Sequence, residues 1–450
     1  MAREKVIVIG GGISGLAAAS KLGAAGIPVQ LLEARDRLGG RIFTHHVSDF
    51  ESPIELGAEF IHGTPPEIWD RVRTSEIETI EVDGDNWCAS DKGINRCDFF
   101  SQIDSILDEM DDSQPDESFL RFLERRFPNP TKDPKLEKAK QKALGYITGF
   151  EAADPDLVGV HWLVQSMRAE ESIEGERAFR AKHGYGDLLE GFLRELASYD
   201  VSVRTGTIVD RIQWSSGKVE VRAHNADGTV LLRTSRLLVT LPLAVLKAER
   251  KFGAVQFVPP LPADKIAALQ KLEMGEVIRV VLRFRERFWD AISDGKQTLS
   301  DMSFLFSEDE WFPTWWTTMP ERKPVLTGWA PFRAARRLSG QDDAFVRNQA
   351  LRSLCRILGV SLRNLESWLE GFYFHDWQSD PFARGAYSYG AVGGDGAQRA
   401  LAASLQNTVF FAGEATDTTG HNGTVHGAIA SGYRAAREIL DAHALRSFAS

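Results

Sequence analysis

The chain has 450 residues, 43% of them hydrophobic and 26% charged, with a formal net charge of -10, an ordinary globular composition whose length suits two or three structural units. An acidic chain gains nothing from neutralising phosphates, which argues against a nucleic-acid partner, and no run of about eighteen apolar residues is present to span a membrane. Three cysteines, Cys88, Cys97 and Cys355, at neither CxxC nor metal-ligand spacing, predict a reducing, cytoplasmic setting with no disulfide framework and no structural metal.

Residues 5–9 read as a buried parallel strand. The apolar run Val6-Ile7-Val8-Ile9 is too short for a secretory h-region and ends at Gly10 to Gly12. A helix is predicted near 13–25 and a second strand over Val29–Leu32, after Pro28, which makes one βαβ unit. Gly10-Gly11-Gly12-Ile13-Ser14-Gly15 is a GxGxxG turn between that strand and helix, and Glu33 closes the second strand. Gly10 permits the tight turn, Gly12 lets backbone approach a pyrophosphate, and Gly15 lets helix and strand pack closely. The free amides near Ile13 and Ser14 and the helix dipole attract phosphate, and the Glu33 carboxylate is placed to accept from a ribose hydroxyl. These residues predict a dinucleotide site without separating FAD from NAD.

From about 65 to 190 the pattern is polar and mostly helical, interrupted by an acidic stretch at 98–117 and a proline-rich link at Pro128, Pro130 and Pro134. The acidic stretch reads as a solvated helix face, with attraction of polyamines as the alternative. Strand signals return at Val201–Val209 and Lys218–Ala223, with Asp227-Gly228 as a hairpin turn, and at Leu237–Leu241 before Pro242. Residues 276–284 alternate like a long strand, tryptophans cluster at Trp289, Trp311, Trp315, Trp316 and Trp329, and a helix is expected around 342–358. The chain closes with a strand at Thr408–Phe411, a loop, and a helix from about 424 to 442. The predicted fold is α/β: a Rossmann-type dinucleotide domain assembled from 1–75, 195–270 and 395–450, and an α+β substrate-binding domain from 76–194 and 271–394.

Glu33-Ala34-Arg35-Asp36-Arg37-Leu38-Gly39-Gly40-Arg41 resembles the second dinucleotide fingerprint of the flavin-containing amine oxidase and desaturase superfamily. Glu55-Leu56-Gly57-Ala58-Glu59-Phe60-Ile61-His62-Gly63 is similar to the loop passing the flavin in polyamine oxidases. Trp377 and the segment Asp380 to Tyr389 resemble the stretch beside the flavin face in spermine oxidase and lysine-specific histone demethylases. Phe411-Ala412-Gly413-Glu414 and Thr424-Val425-His426-Gly427 resemble the family's closing signature.

The resemblance implies a FAD-dependent amine oxidase, with an amine and O2 as substrates, an imine and H2O2 as products, and the hydride passing to flavin N5. It places Ala34, Arg35, Gly40, Arg41, Gly57, Ala58, Glu59, Val209, Trp377, Gly413, Glu414, Thr424 and Val425 with the cofactor. Arg41 would pair with the pyrophosphate, and Glu414 would bind the ribityl or pyrophosphate part. The helix start at Thr424 and Val425 would stabilise negative charge on reduced flavin. Ala386 stands where monoamine oxidases carry the cysteine that attaches flavin, which predicts non-covalent FAD. Tyr387 supplies one aromatic wall, and Thr424 stands where monoamine oxidases have the second tyrosine. Tyr387 and Tyr389 are read as alternating on a strand and so are expected to face opposite ways, one walling the pocket and the other packing.

Arg279 occupies the position of a lysine that is water-linked to flavin N5 in the family. An arginine does not readily lose its proton, which bears on reoxidation by oxygen. His62 is placed near the substrate, Glu59 pairs with an arginine or binds a cationic amine, and His426 packs or caps. No long helical insertion of the demethylase kind is present, which argues against a chromatin substrate. Two other readings stand beside the amine oxidase. One is an L-amino acid oxidase, desaturase or amine dehydrogenase of the same fold, with Arg279, Arg168 or Arg384 available for a substrate carboxylate. The other is a FAD-bound interaction protein with weak turnover. The oligomeric state is left open.

Overall fold

A computed structural model describes residues 5–127 and 133–447; Pro128 and Pro130 lie outside them, as do residues 1–4. The centre is a five-stranded parallel sheet in the order Val201–Arg204, Val29–Leu32, Val6–Ile9, Leu237–Val239, Val409–Phe411. Its inner strands are buried along their whole length, and apolar but for Gln30, because both faces are covered. Side chains two apart share a face. Val6, Val8, Leu31, Leu238 and Phe410 therefore pack against helices Ile13–Ala24 and Val425–Ser447. Ile7, Ile9, Leu32, Val239 and Phe411 face a second layer. That layer is a four-stranded sheet of Gly228–Thr234, Lys218–Asn225, Ile208–Ser215 and Gln256–Val258, and the predicted Asp227-Gly228 turn joins its first hairpin. Helix Gly186–Leu196 packs against Ile13–Ala24 in the same core.

A seven-stranded sheet forms the second centre, in the order Leu369–Phe374, Val277–Phe284, Val325–Pro331, Thr314–Trp316, Met302–Phe306, Asp85–Ser90, Gly93–Arg96. Strand Val277–Phe284 is buried at all eight positions, so its alternation is not the usual core-and-solvent kind. Ile278, Val280, Leu282 and Phe284 pack in a cluster with helix Asp343–Leu358. Residues of the opposite face meet the first unit: Val281 packs with Ile54 and Leu56, Arg279 bonds Glu59, and Arg283 bonds Asp49. Helix Asp343–Leu358 follows the expected limits, capped by Asp342 accepting from Phe345 N at 2.7 Å and ended by Gly359.

The segment from 65 to 190 contains the expected helices, Ser101–Leu107, Phe119–Arg126, Pro134–Gly149 and Val160–Glu171, around their own apolar cluster. It also contains a hairpin that the helical reading missed, Asp85–Ser90 with Gly93–Arg96. Cys88 and Cys97 are disulfide-bonded across its base, with Cα atoms 5.7 Å apart. This corrects the expectation that the cysteines are unpaired: hairpin pairing, not sequence spacing, brings them together. Among the described residues no helix is long and apolar enough to cross a membrane.

Candidate active site

A cavity of about 1160 Å³ runs between the two units. With one exception, Gly15, every residue that the sequence assigns to the dinucleotide or flavin site lines it, as do Tyr387, Arg279 and His62; Arg384 and Tyr389 do not. Gly15 lies behind the wall, where an added Cβ would sit 2.0 Å from the Gly10 carbonyl oxygen, so only glycine lets the helix lie this close to the strand. Gly12 shows the opposite condition. A Cβ there would meet nothing nearer than Gly40 Cα at 3.9 Å, so the space it would fill belongs to the cavity. Helix Ile13–Ala24 has no side-chain cap and no acid in its first turn, which leaves its leading amides for an anion. Glu33 is buried and braces this turn, accepting from Gly11 N at 2.7 Å and Arg35 N at 2.9 Å.

Arg41 and Glu414, both assigned to the cofactor, are held by each other at 2.9 Å across 373 residues of sequence. Arg41 also donates to Ala386 O at 2.7 Å. The Glu414 carboxylate accepts in addition from Ser388 Oγ and from Gly423 N at 3.0 Å. Trp377 donates to Leu56 O at 2.8 Å. Against the pull of burial, His375 and Arg35 hold the Asp380 carboxyl well below the usual carboxylate range. Thr424 caps the terminal helix: its hydroxyl accepts from Gly427 N at 2.9 Å and donates to His421 O at 2.7 Å. Gly413, Val209 and Val425 complete this end of the cavity.

The other end is aromatic. Tyr387 donates to Phe150 O, and Tyr146 stacks on Phe150 with centroids 5.2 Å apart. Trp316, Trp329, Phe60, Phe304 and Phe306 continue the wall. Tyr389 instead packs edge-on to Trp162 and accepts from Asp154 N at 3.3 Å, as one of the two tyrosines was expected to do. Strand alternation is not the cause, since residues two apart share a face. Tyr387 precedes strand Ser388–Gly390, and its backbone carbonyl is held by Gly275 N at 2.7 Å. His62 lies edge-on to Phe150 at 5.7 Å, and burial lowers its pKa to about 4, so the imidazole is neutral at neutral pH. His426 is buried against His421, with ring centroids 4.7 Å apart.

Two carboxyls that no motif announced lie in this aromatic part, Glu151 and Glu170. Neither has a hydrogen bond or ion pair from its carboxyl to a described residue. Burial raises both well above the ordinary carboxylate range, and the charge of Glu170 raises Glu151 further. Asp104 and Asp108, from the acidic stretch, also line the cavity, so that stretch is not wholly a solvated face.

Glu59 is wholly engaged. It accepts from Arg180 Nε at 2.6 Å, from Trp316 Nε1 at 3.0 Å and from Arg279 Nη2. Burial alone would raise its carboxyl, but Arg279 and Arg180 hold it below its usual range. Arg279 also donates to Gly57 O at 2.8 Å. Arg168 is bound through both guanidinium ends by Asp112, and Arg384 donates to Phe252 O at 2.6 Å. None of the three arginines offered for a substrate carboxylate is therefore free of a protein partner. Away from the cavity Asp116, His161 and Asp395 converge, and the His161 ring nitrogens are taken by Asp395 Oδ2 and Gln114 O, each at 2.7 Å.

The model of the flavin containing amine oxidoreductases matches residues 13–99 and 98–440. The chain belongs to this family. Lysine-specific histone demethylase 1 homolog 2 of Arabidopsis thaliana is 28% identical to it over 477 residues, covering 98% of the chain and 59% of that relative. Polyamine oxidase 5 of Oryza sativa subsp. japonica is 26% identical, covering 96% of the chain and 87% of the relative. The chain thus spans little more than half the length of the demethylase and most of the oxidase. Among solved structures, putrescine oxidase bound to putrescine has the same fold, with a TM-score of 0.79, 21% identity and coverage of 97% of the chain and 99% of the structure. The family's cofactor is FAD. The open space at Gly12, the uncapped helix start and the length of the cavity fit it.

Proposed function

We propose that the chain is a FAD-dependent oxidase of amines that carry a second cationic nitrogen, diamines or polyamines, yielding an imine and H2O2. The observation that carries this reading is the pair Glu151 and Glu170, two cavity carboxyls left without a protein partner among aromatic walls. Their oxygens open onto the cavity with no cation among the described residues to balance them, and an ammonium group is the complement this pair lacks. FAD supplies the two-electron oxidation, and Ala386 leaves it without a covalent attachment at that position.

The chain's own residues prepare the substrate. Aromatic walls at Tyr387, Tyr146 and Trp316 exclude water and disfavour the ammonium form of the reacting nitrogen. His62, neutral and without a charged neighbour, offers a ring nitrogen to that amine. The carboxyl pair holds the distant ammonium, which fixes how deep the amine enters. Arg279, Arg168 and Arg384 are each bound by protein acceptors, which weighs against an amino acid oxidase.

The test is peroxide release from the FAD-loaded protein over a panel of putrescine, spermidine, spermine, benzylamine and L-amino acids. Turnover of the di- and polyamines is expected to exceed that of benzylamine and L-amino acids. Peroxide from L-amino acids alone would overturn the reading.

A further inference from the structure

Three charged side chains are buried together beside the cavity. Arg279 and Arg180 both bond Glu59, so the group holds two fixed cations and one anion, a net charge of +1. Arg180 spends its remaining donors on Met319 O at 2.9 Å and Thr317 O at 3.0 Å. Arg279 spends Nη1 on Gly57 O at 2.8 Å. Its Nε is buried and has no acceptor, although Arg279 is only 6% exposed and lines the cavity. The Trp316 ring, 5.4 Å from the guanidinium, covers another side. Among the described residues no further carboxylate bonds these two arginines: Arg41 is matched by Glu414, and Glu55, which feels Arg279 but accepts only from Tyr185 N at 2.6 Å and Thr44 Oγ1 at 3.0 Å, is pushed up to about 7 by burial and carries little charge below that pH.

We propose that Arg279, Arg180 and Glu59 form a buried, net-positive clamp that holds negative charge on the reduced flavin and so raises the cofactor's reduction potential. A potential is a ratio of affinities: whatever binds the reduced form more tightly than the oxidised form raises it. A cation in a site shielded from water acts over several ångströms. Arginine keeps its proton throughout the working range, so the clamp cannot be discharged by proton transfer. The proposal rests on FAD occupying this cavity, and it is independent of which amine is oxidised.

The test is a redox titration of purified FAD-loaded protein against a reference dye, with dithionite as reductant and no amine present. It is run near pH 6, where Glu55, raised by burial to about 7, is mostly neutral. Two changes move the net charge in opposite directions. Arg279→Met removes the cation facing the cavity, and the preference for reduced over oxidised flavin should fall roughly tenfold, about 30 mV for a two-electron couple. Glu59→Gln, nearly the same shape, removes the anion and should move the potential upward by a similar amount. Arg279→Lys, which keeps the charge, should lie between wild type and Arg279→Met.

A merely structural role would loosen the site in both variants and give shifts of the same sign. Shifts of one sign, or an unmoved potential in Glu59→Gln, would overturn the proposal. If Arg279→Met does not fold, the sign in Glu59→Gln decides alone. Failure of every amine to reduce the flavin would defeat the functional reading above without touching this result.

Discussion

Replacing Glu170 with glutamine changes one atom's chemistry at almost constant volume, and its carboxyl bonds no described residue. The fold therefore loses nothing, and the effect falls on the ligand. A charge-assisted hydrogen bond to an ammonium contributes about 1.5–3 kcal/mol, so kcat/KM for putrescine should drop roughly 10- to 150-fold in Glu170→Gln. Benzylamine, with no second nitrogen, should change less than about threefold. The pH profile adds a second reading. Burial raises both carboxyls, so the pair is neutral in acid and gains charge as pH rises through about 7 to about 8. The KM for putrescine, divided by that for benzylamine to cancel ionisation of the reacting nitrogen, should fall across this window. In Glu170→Gln the repulsion on Glu151 is gone, and the remaining transition should move to lower pH. Because these acids lie higher in the folded than in the unfolded chain, their ionisation also weakens the cofactor-free fold as pH rises through the same window. Equal losses for putrescine and benzylamine, with an unmoved profile, would refute the assignment of the pair to the second ammonium.

Gly12→Ala should fold, because its Cβ meets nothing nearer than Gly40 Cα at 3.9 Å and Gly12 has φ -71°; flavin absorbance per chain should fall sharply, and full occupancy would contradict the cradle. Lys265→Met should lower the thermal midpoint by several degrees, since buried Lys265 Nζ donates to Ala400 O, Leu401 O and Ala403 O at 3.1, 2.8 and 2.6 Å, and its loss strands these carbonyls at a cost of about 2–4 kcal/mol. An unchanged midpoint in differential scanning calorimetry would contradict that role. Alkylation of the denatured, unreduced protein should label Cys355 alone, with Cys88 and Cys97 labelled only after reduction; labelling of all three without reductant would contradict the bridge.

The parts of the site that were legible in sequence are those whose chemistry must be local. A phosphate cradle requires glycines a few residues apart between strand and helix, and Gly10, Gly12 and Gly15 could be read directly. The family motifs carried the loop at Gly57 and Ala58, Trp377, and the closing segments at Glu414 and Thr424 to the same cavity. The rest depends on packing between distant segments. Glu59 meets Arg180, 121 residues on, and Arg279, 220 residues on. Glu151 follows a helix end and Glu170 sits inside another helix, with no periodicity to mark either as a cavity residue. Strand Val277–Phe284 reads as alternating, yet a helical cluster covers one face and the loop carrying Glu59 meets the other, so its arginines are interior. The hairpin at Asp85–Ser90 lacks an apolar run and is held at a sheet edge by Met302–Phe306.

The account turns on a FAD cavity built to accept an amine with a second positive charge. Its most direct measurement is stopped-flow absorbance of the loaded protein mixed with spermidine in the absence of oxygen. The flavin band should bleach in a single turnover, faster with spermidine than with benzylamine at equal concentration. A band that spermidine leaves intact while dithionite removes it would contradict the account.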